Sequence, residues 1–320
     1  MYNNSLFSMN NRRYYSTIKT INYLSPDWIT GFSDGESSFS VSISKNNKYK
    51  TGWTVIPAFA IELKDTDLSL LYKIQEFFGG VGKVQLIKNK GHALYVVNSI
   101  KELNDVIIPH FDKYSLLTVK RVNFVLFKQI ILLMKDKKHL TKEGIEEIIN
   151  IRMVMNKKTL VNGYEGPIIK VHLPILPELK IVDINPQWLT GFTDAEGCFY
   201  LNIRDNRNKT GYWVTAGFSL VQHSRDLSLF KLIKEYLNYG NLIEENNKEV
   251  VRFKVEKFDL IINKIIPFYI ENSLNSSKLD NFKDFCMACD LIKNKDHLTK
   301  EGIDSLKSIK SRMNTNRNYL

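Results

Sequence analysis

The chain has 320 residues, 43% of them hydrophobic and 25% charged, the profile of a folded globule and not of a disordered segment. Three cysteines are too few for a secreted disulfide framework, and no apolar run reaches the roughly 18 residues of a membrane span. Forty-five Lys and Arg against 34 Asp and Glu leave a net charge of +11, which attracts polyanions and ranks nucleic acid first among partners.

Residues 1–22 read as a basic leader. No acid occurs before Asp27, and Arg12, Arg13 and Lys19 lie among Ser, Asn and Tyr. Such a stretch reads as a mitochondrial presequence or as a disordered basic tail. The abundance of Asn, Ile, Lys and Tyr also fits an organellar gene, for which the leader is the remnant of an upstream reading frame. The presequence and organellar-gene readings place the protein in the mitochondrion.

From residue 23 the chain is a duplicated unit. Trp28-Ile29-Thr30-Gly31-Phe32-Ser33-Asp34-Gly35-Glu36 returns as Trp188-Leu189-Thr190-Gly191-Phe192-Thr193-Asp194-Ala195-Glu196. Ile108-Pro109 returns as Ile266-Pro267, and His139-Leu140-Thr141-Lys142-Glu143-Gly144-Ile145 as His297-Leu298-Thr299-Lys300-Glu301-Gly302-Ile303. The domains expected are 23–158 and 184–320. Between them, 159–183 loses periodicity, gains Pro167, Pro174 and Pro177, and reads as an extended linker.

Each copy predicts the same elements. Ser25-Pro26 and Asn185-Pro186 are a capping side chain followed by a proline suited to the first helical turn. The helix runs to Glu36 or Glu196. Strict alternation follows: Phe39, Val41 and Ile43 against Ser38, Ser40, Ser42 and Ser44, then Phe199, Leu201 and Ile203 against Tyr200, Asn202 and Arg204. Period two gives a strand with one buried and one wet face. A charged turn (45–50; 204–209) leads to a second strand ending near Leu63 or Gln222. Helical spacing over 68–78 and 227–237, two short strands (82–88 and 92–98; 241–245 and 250–256) and trailing helices complete an αββαββα pattern.

Gly31 and Gly35, like Gly191 and Ala195, share one helix face. Small residues there let two helix backbones approach closely. Glu36 and Glu196 then end the helices, where partial negative charge already accumulates. Paired carboxylates in that position call for hard divalent cations such as Mg²⁺, which activate water and stabilise a leaving oxygen at a phosphodiester.

Ile29 to Ser37 and Leu189 to Gly197 resemble the two signature motifs of the LAGLIDADG homing endonucleases, especially single-chain members encoded in fungal mitochondrial introns. The resemblance implies an α+β fold. Two pseudo-symmetric αββαββα repeats form a saddle of antiparallel strands, with the two motif helices packed at the interface. It makes Glu36 and Glu196 the metal-binding acids, with the carbonyls of Gly35 and Ala195 as auxiliary ligands. Lys120 and Lys278 match the family's active-site lysine, and Gln222 a glutamine that orders solvent; Leu63 holds that place in the first copy. Ser37 replaces the motif's final glycine and is expected to alter the turn after the helix. Asp34 and Asp194 read as structural. Cys286 and Cys289 lack a second pair to complete a zinc site and read as core.

Double-stranded DNA is the implied partner of a monomeric, Mg²⁺-dependent, site-specific double-strand endonuclease that promotes intron homing. A two-stranded ribbon fits the major groove. The wet residues Ser38, Ser40, Ser42, Ser44, Tyr200, Asn202 and Arg204, with Lys48, Lys83, Lys88, Arg252 and Lys254, are expected to meet DNA. The copies carry different side chains there, so the target is expected to be asymmetric. The alternatives are an intron RNA maturase and a catalytically idle DNA-binding regulator on the same fold. No membrane partner is expected.

Overall fold

The computed structural model describes residues 23–155, 161–207 and 211–314. The leader, the first residues of the linker and part of the charged turn at 204–209 lie outside them. The chain divides into two compact units, one formed by Leu24–Leu179 and the other holding the chain from Lys180 onward.

The first unit begins with α1 (Pro26–Glu36), started by Ser25, whose hydroxyl accepts a hydrogen bond from Trp28 N. The chain turns directly into β1 (Ser37–Lys45) and, through a hairpin, into β2 (Trp53–Lys64). Asn46 N donates to Gly52 O at 2.7 Å to close that hairpin, with Gly52 at φ +76°, a conformation other residues adopt at a penalty. α2 (Leu68–Phe77), β3 (Lys83–Ile87) and β4 (His92–Val97) follow. A one-turn helix (Ile100–Glu102) and a π-helical stretch (Leu103–Ile107) lead into α3 (Ile108–Lys113), with Pro109 in its first turn. Proline lacks the N–H that would continue the α-helical ladder, and the wider π turn falls where that bond is lost. α4 (Lys120–Lys135) and α5 (Lys142–Val154) complete the unit. The four strands form one antiparallel sheet in the order β1-β2-β4-β3.

The second unit repeats the order: α6 (Pro186–Glu196), β5 (Gly197–Asp205), β6 (Tyr212–His223), α7 (Leu227–Leu237), β7 (Asn241–Glu245), β8 (Val250–Val255), α8 (Ile266–Glu271), α9 (Lys278–Lys293) and α10 (Lys300–Ser311). Its sheet runs β5-β6-β8-β7, antiparallel throughout, so the predicted α+β fold with two equivalent repeats is what the chain adopts.

One face of each sheet is buried by aromatic side chains. Phe39 and Phe59 from the first sheet meet Phe111 of α3, and Phe39 also meets Phe124 and Phe127 of α4, with ring centroids 5.2–5.5 Å apart. Phe199, Phe218, Tyr269, Phe282 and Phe285 repeat the cluster in the second. All ten are buried. At about 1.5–3 kcal/mol per fully buried side chain, these rings fix which face of each sheet turns inward and leave the other to solvent. Cys286 and Cys289 lie buried in α9, where burial pushes both thiols up, as expected of core residues.

Residues 161–180 form no helix or strand but are held against the first unit. Asn150 of α5 donates to Pro167 O and accepts from Ile169 N at 2.7 Å, and Arg121 donates to Pro177 O. Over 161–180 the predicted linker is thus irregular, and part of it is strapped across the helices by the Asn150 and Arg121 side chains bonding its backbone.

Candidate functional site

Within each unit a carboxylate, a lysine and helix-end carbonyls come together where the motif helix ends. In the first, Lys120 Nζ donates to Ser33 O and Gly35 O, both at 2.9 Å. Glu36, the last residue of α1, is exposed there. In the second, Lys278 Nζ donates to Ala195 O at 3.2 Å and to Gly197 O. Gln222 Nε2, from the end of β6, donates to Glu196 Oε1 at 3.2 Å. The last carbonyls of a helix lack intrahelical partners and attract positive charge. Of the carbonyls the lysines meet, Gly35 O and Ala195 O belong to the last turn of the helix, while Ser33 O also accepts from Ser37 N and Gly197 O opens the strand. An ammonium ion on such a group shows that the helix end attracts positive charge.

The lysines are positioned by the aspartates two residues before each glutamate. Asp34 is 1% exposed and accepts from Leu117 N (2.9 Å), Thr118 N (3.0 Å) and the Thr118 hydroxyl (2.6 Å). Asp194 accepts from Asn275 N (2.8 Å), Ser276 N (3.1 Å) and the Ser276 hydroxyl (2.5 Å). Each buried carboxylate thus fastens the loop immediately before α4 or α9, whose first residue is the lysine. Three charge-assisted bonds per carboxylate make the attachment stiff. Asp34 and Asp194 are structural, as the sequence implied.

The turn after the motif helix is the same in both copies, contrary to the expectation for Ser37. Ser37 has φ −84°, ψ 161° and Gly197 φ −79°, ψ 152°. Ser37 fits because its hydroxyl donates to Ser33 O at 2.7 Å. At Gly197 a Cβ would stand 2.5 Å from Thr193 Cγ2, a methyl that Ser33 lacks, and 2.7 Å from Thr193 O.

The donor set suits a hard divalent cation. Carboxylate and carbonyl oxygens are the ligands Mg²⁺ prefers, and such sites use one or two carboxylates with water and substrate phosphate. Among the described residues no three His, Cys, Asp or Glu side chains cluster into a self-contained metal cage. Glu36 with Gly35 O, and Glu196 with Ala195 O, offer partial coordination of this kind.

The wet sheet faces carry the predicted contact residues in registered rows. Across the first sheet one row reads Ser38, Ala60, Val96, Lys83; Ser40 stands opposite Ala58, Ser42 opposite Ile56, and Ser44 opposite Thr54. Across the second the matching row reads Cys198, Ser219, Lys254, Asn241, and Tyr200, Asn202 and Arg204 stand opposite Gly217, Thr215 and Trp213. Lys48 lies in the exposed β1-β2 turn and Lys88 in the turn after β3. The outward residues of β2 and β6 were not anticipated. β2 reads apolar on both faces (Ile56-Pro57-Ala58-Phe59-Ala60), so only its pairing with the serines of β1 reveals them. β6 instead alternates Thr215, Gly217 and Ser219 with Ala216, Phe218 and Leu220, and its outward row is legible in the sequence.

The second face is internally charge-paired. Arg252 donates to Glu245 Oε1 at 3.3 Å, and Lys248 Nζ lies 3.2 Å from Glu245 Oε2. The hydrogen bonds from Lys248 and Arg252 hold the Glu245 carboxyl below its ordinary range. Lys254 Nζ (2.9 Å) and the Tyr200 hydroxyl (3.1 Å) share Glu256 Oε1. Burial first, and Glu256 second, push the Tyr200 phenol up, so it stays a neutral donor.

Comparison with known proteins adds the following. The family model described as LAGLIDADG endonuclease matches residues 29–131 and 189–289. Two Neurospora crassa proteins, probable intron-encoded endonucleases 2 and 3, are 38% and 34% identical to the chain over 90% and 92% of its length. The chain spans 65% and 55% of their lengths. The meganuclease I-SmaMI bound to uncleaveable DNA superposes with a TM-score of 0.88 at 33% identity, over 93% of this chain and 99% of that one. I-SmaMI has also been solved on cleaved DNA and on an uncleaved target with calcium ions.

Proposed function

Because the chain belongs to the LAGLIDADG endonuclease family, we propose that it is a site-specific DNA endonuclease that hydrolyses both strands of a long, asymmetric duplex and so promotes homing of its intron. The observation that carries this reading is the twice-built helix end: carboxylate, cation-accepting carbonyls and a clamped lysine, each beside a solvent-facing antiparallel sheet.

Glu36 with the Gly35 carbonyl, and Glu196 with the Ala195 carbonyl, would each hold a divalent cation, Mg²⁺ in the cell. When bound, such a cation supplies a nucleophilic water and charge stabilisation at the phosphodiester. Gln222 fixes the orientation of the Glu196 carboxylate. Lys120 and Lys278 are anchored so that their charge faces the helix end, where it offsets the negative charge of a scissile phosphate. Each chain carries both acids, so it acts as a monomer. The strand faces hold the target through Ser38, Ser40, Ser42, Ser44, Lys83, Tyr200, Asn202, Arg204, Arg252 and Lys254, and Lys48 holds the backbone. The acid-free residues before Asp27 support a place of work in the mitochondrion.

The test is cleavage by Glu36→Gln and Glu196→Gln chains of a duplex selected from a randomised library. Each substitution is expected to abolish double-strand cleavage while leaving affinity for the selected duplex within about threefold. One fewer negative charge at an anionic centre does not repel DNA. Wild-type cleavage by either variant would refute the assignment of the acids.

A further inference from the structure

The two outward sheet faces differ in chemistry. At the centre of the first, β2 presents Ile56, Ala58 and Ala60 among the serines of β1, and β4 adds Val96 to the same row. Ile56 is 49% exposed. The second face has Thr215, Gly217, Ser219 and Lys254 at the equivalent positions, with Gly217 covered by the Tyr200 ring and Ser219 buried. Charge is also divided unevenly. Residues 37–64 and 83–97 hold seven lysines against one glutamate, while 197–223 and 241–255 hold six basic against four acidic residues.

The lysines of the first sheet are not at its centre. Lys48 and Lys50 lie at the β1-β2 turn, Lys88 and Lys90 at the β3-β4 turn, Lys64 at the end of β2, and Lys83 on the edge strand, while Lys45 is turned to the other side, over the Trp53 ring. A cationic rim around a small aliphatic centre is complementary to a polyanion with an apolar feature between its phosphates. In the major groove that feature is the thymine 5-methyl group, the one apolar group on any base edge there. The side chains of Ile56, Ala58, Ala60 and Val96 make no hydrogen bonds, so this part of the face can tell bases apart only by apolar contact, beside the hydroxyls of Ser38, Ser40, Ser42 and Ser44.

We infer that the first sheet selects thymine by packing Ile56 against its 5-methyl group, a reading that rests on the DNA endonuclease assignment above. Ala58 and Ala60 keep the neighbouring surface low so that the strand sits deep enough to reach it. The rim lysines hold phosphates. The second sheet reads its half of the target by hydrogen bonds from Asn202, Arg204 and their neighbours. One half-site is therefore read by a methyl contact alongside the β1 serines, the other by donors and acceptors alone.

The experiment uses the full chain without divalent metal. Its preference for the selected duplex over random competitor is measured first, and each thymine of that duplex is then replaced singly by deoxyuridine, which removes only the methyl. The expected result is a loss of affinity of about fourfold, the transfer free energy of one methyl group, at one or two positions confined to one half-site. Ile56→Ala is expected to erase the thymine–uridine difference at one of those positions and leave the other half-site unchanged. Ile56→Val is expected to keep part of it. Ile56 is half exposed, and unchanged thermal melts for both variants verify that folding is intact. Uniform tolerance of deoxyuridine, or an Ile56→Ala chain that still discriminates thymine from uridine everywhere, overturns the inference alone. A chain with no preference for any duplex in the first measurement overturns the endonuclease reading together with it.

Discussion

Thr193 and Gly197 stand one helical turn apart where α6 ends, and each constrains the other. The Thr193 hydroxyl bonds to the Tyr269 hydroxyl at 2.7 Å, and its methyl fills the space a Cβ at position 197 would need. In the first unit the same two places hold Ser33 and Ser37; Phe111 replaces the tyrosine, and Ser33 Oγ is buried without a hydrogen-bond partner. Gly197→Ser alone is expected to destabilise the second unit by about 1–3 kcal/mol through overpacking. The double change Thr193→Ser with Gly197→Ser should recover the part of that loss due to the methyl, because the smaller side chain keeps the hydroxyl, while the contact with Thr193 O remains. Urea denaturation of the two variants checks this, and equal losses would show that the methyl is not the obstacle.

Helix α1 is secured at both ends by groups far away in sequence. Near its start the Thr30 hydroxyl meets His110 Nε2 of α3 at 3.1 Å. Near its end Asp34 grips the loop before α4. His110 is packed edge-on against Phe77, Phe78 and Phe111, and this burial pushes its imidazole down to about 4. The unfolded chain takes up that proton near pH 6.5 and the folded chain only near 4, so between those values acid favours unfolding. The stability involved is complete above about pH 6.5 and falls by up to about 3 kcal/mol toward pH 4. His110→Phe, which preserves the aromatic packing, is expected to flatten that part of the stability–pH curve; an unchanged slope would place its origin elsewhere. These attachments also mark how far the sequence could be read. The repeat, the Ser-Pro and Asn-Pro starts and the alternation of β1 and β5 identified the elements to within a residue or two, because local rules govern them. The partners of Asp34, Lys120 and His110 lie more than 75 residues away, and no local pattern encodes them. The outward face of β2 was hidden for another reason: Ala and Ile alternate there with Phe and Ile, so polarity does not distinguish inside from outside.

Across the whole molecule, two sheets of the same topology bear unlike surfaces. A net charge of +11 makes binding to any duplex steeply salt-dependent, and specificity must come from what the strand faces add. Arg204→Ala and Asn202→Ala are expected to relax base preference at a few positions of one half-site, by about 1–3 kcal/mol for each bidentate pairing with a base that the substitution removes. Lys48→Ala, in an exposed turn, should weaken binding to all duplexes alike and reduce the salt slope by about one unit. Competition binding against every single-base variant of the target, at two salt concentrations, separates the two kinds of effect. Equal responses from both half-sites to the Arg204 and Asn202 changes would contradict the assignment of one sheet to each half.

The coupling of positions 193 and 197 carries a genetic consequence. Two similar stretches in one reading frame can overwrite each other by recombination. A conversion tract that copies both serines of the first repeat into the second yields a pair already compatible at one helix end. A tract whose boundary falls between them and imports only the second serine sets a side chain against the Thr193 methyl. Where a tract stops therefore sets how stable the product is, at the cost already stated for Gly197→Ser.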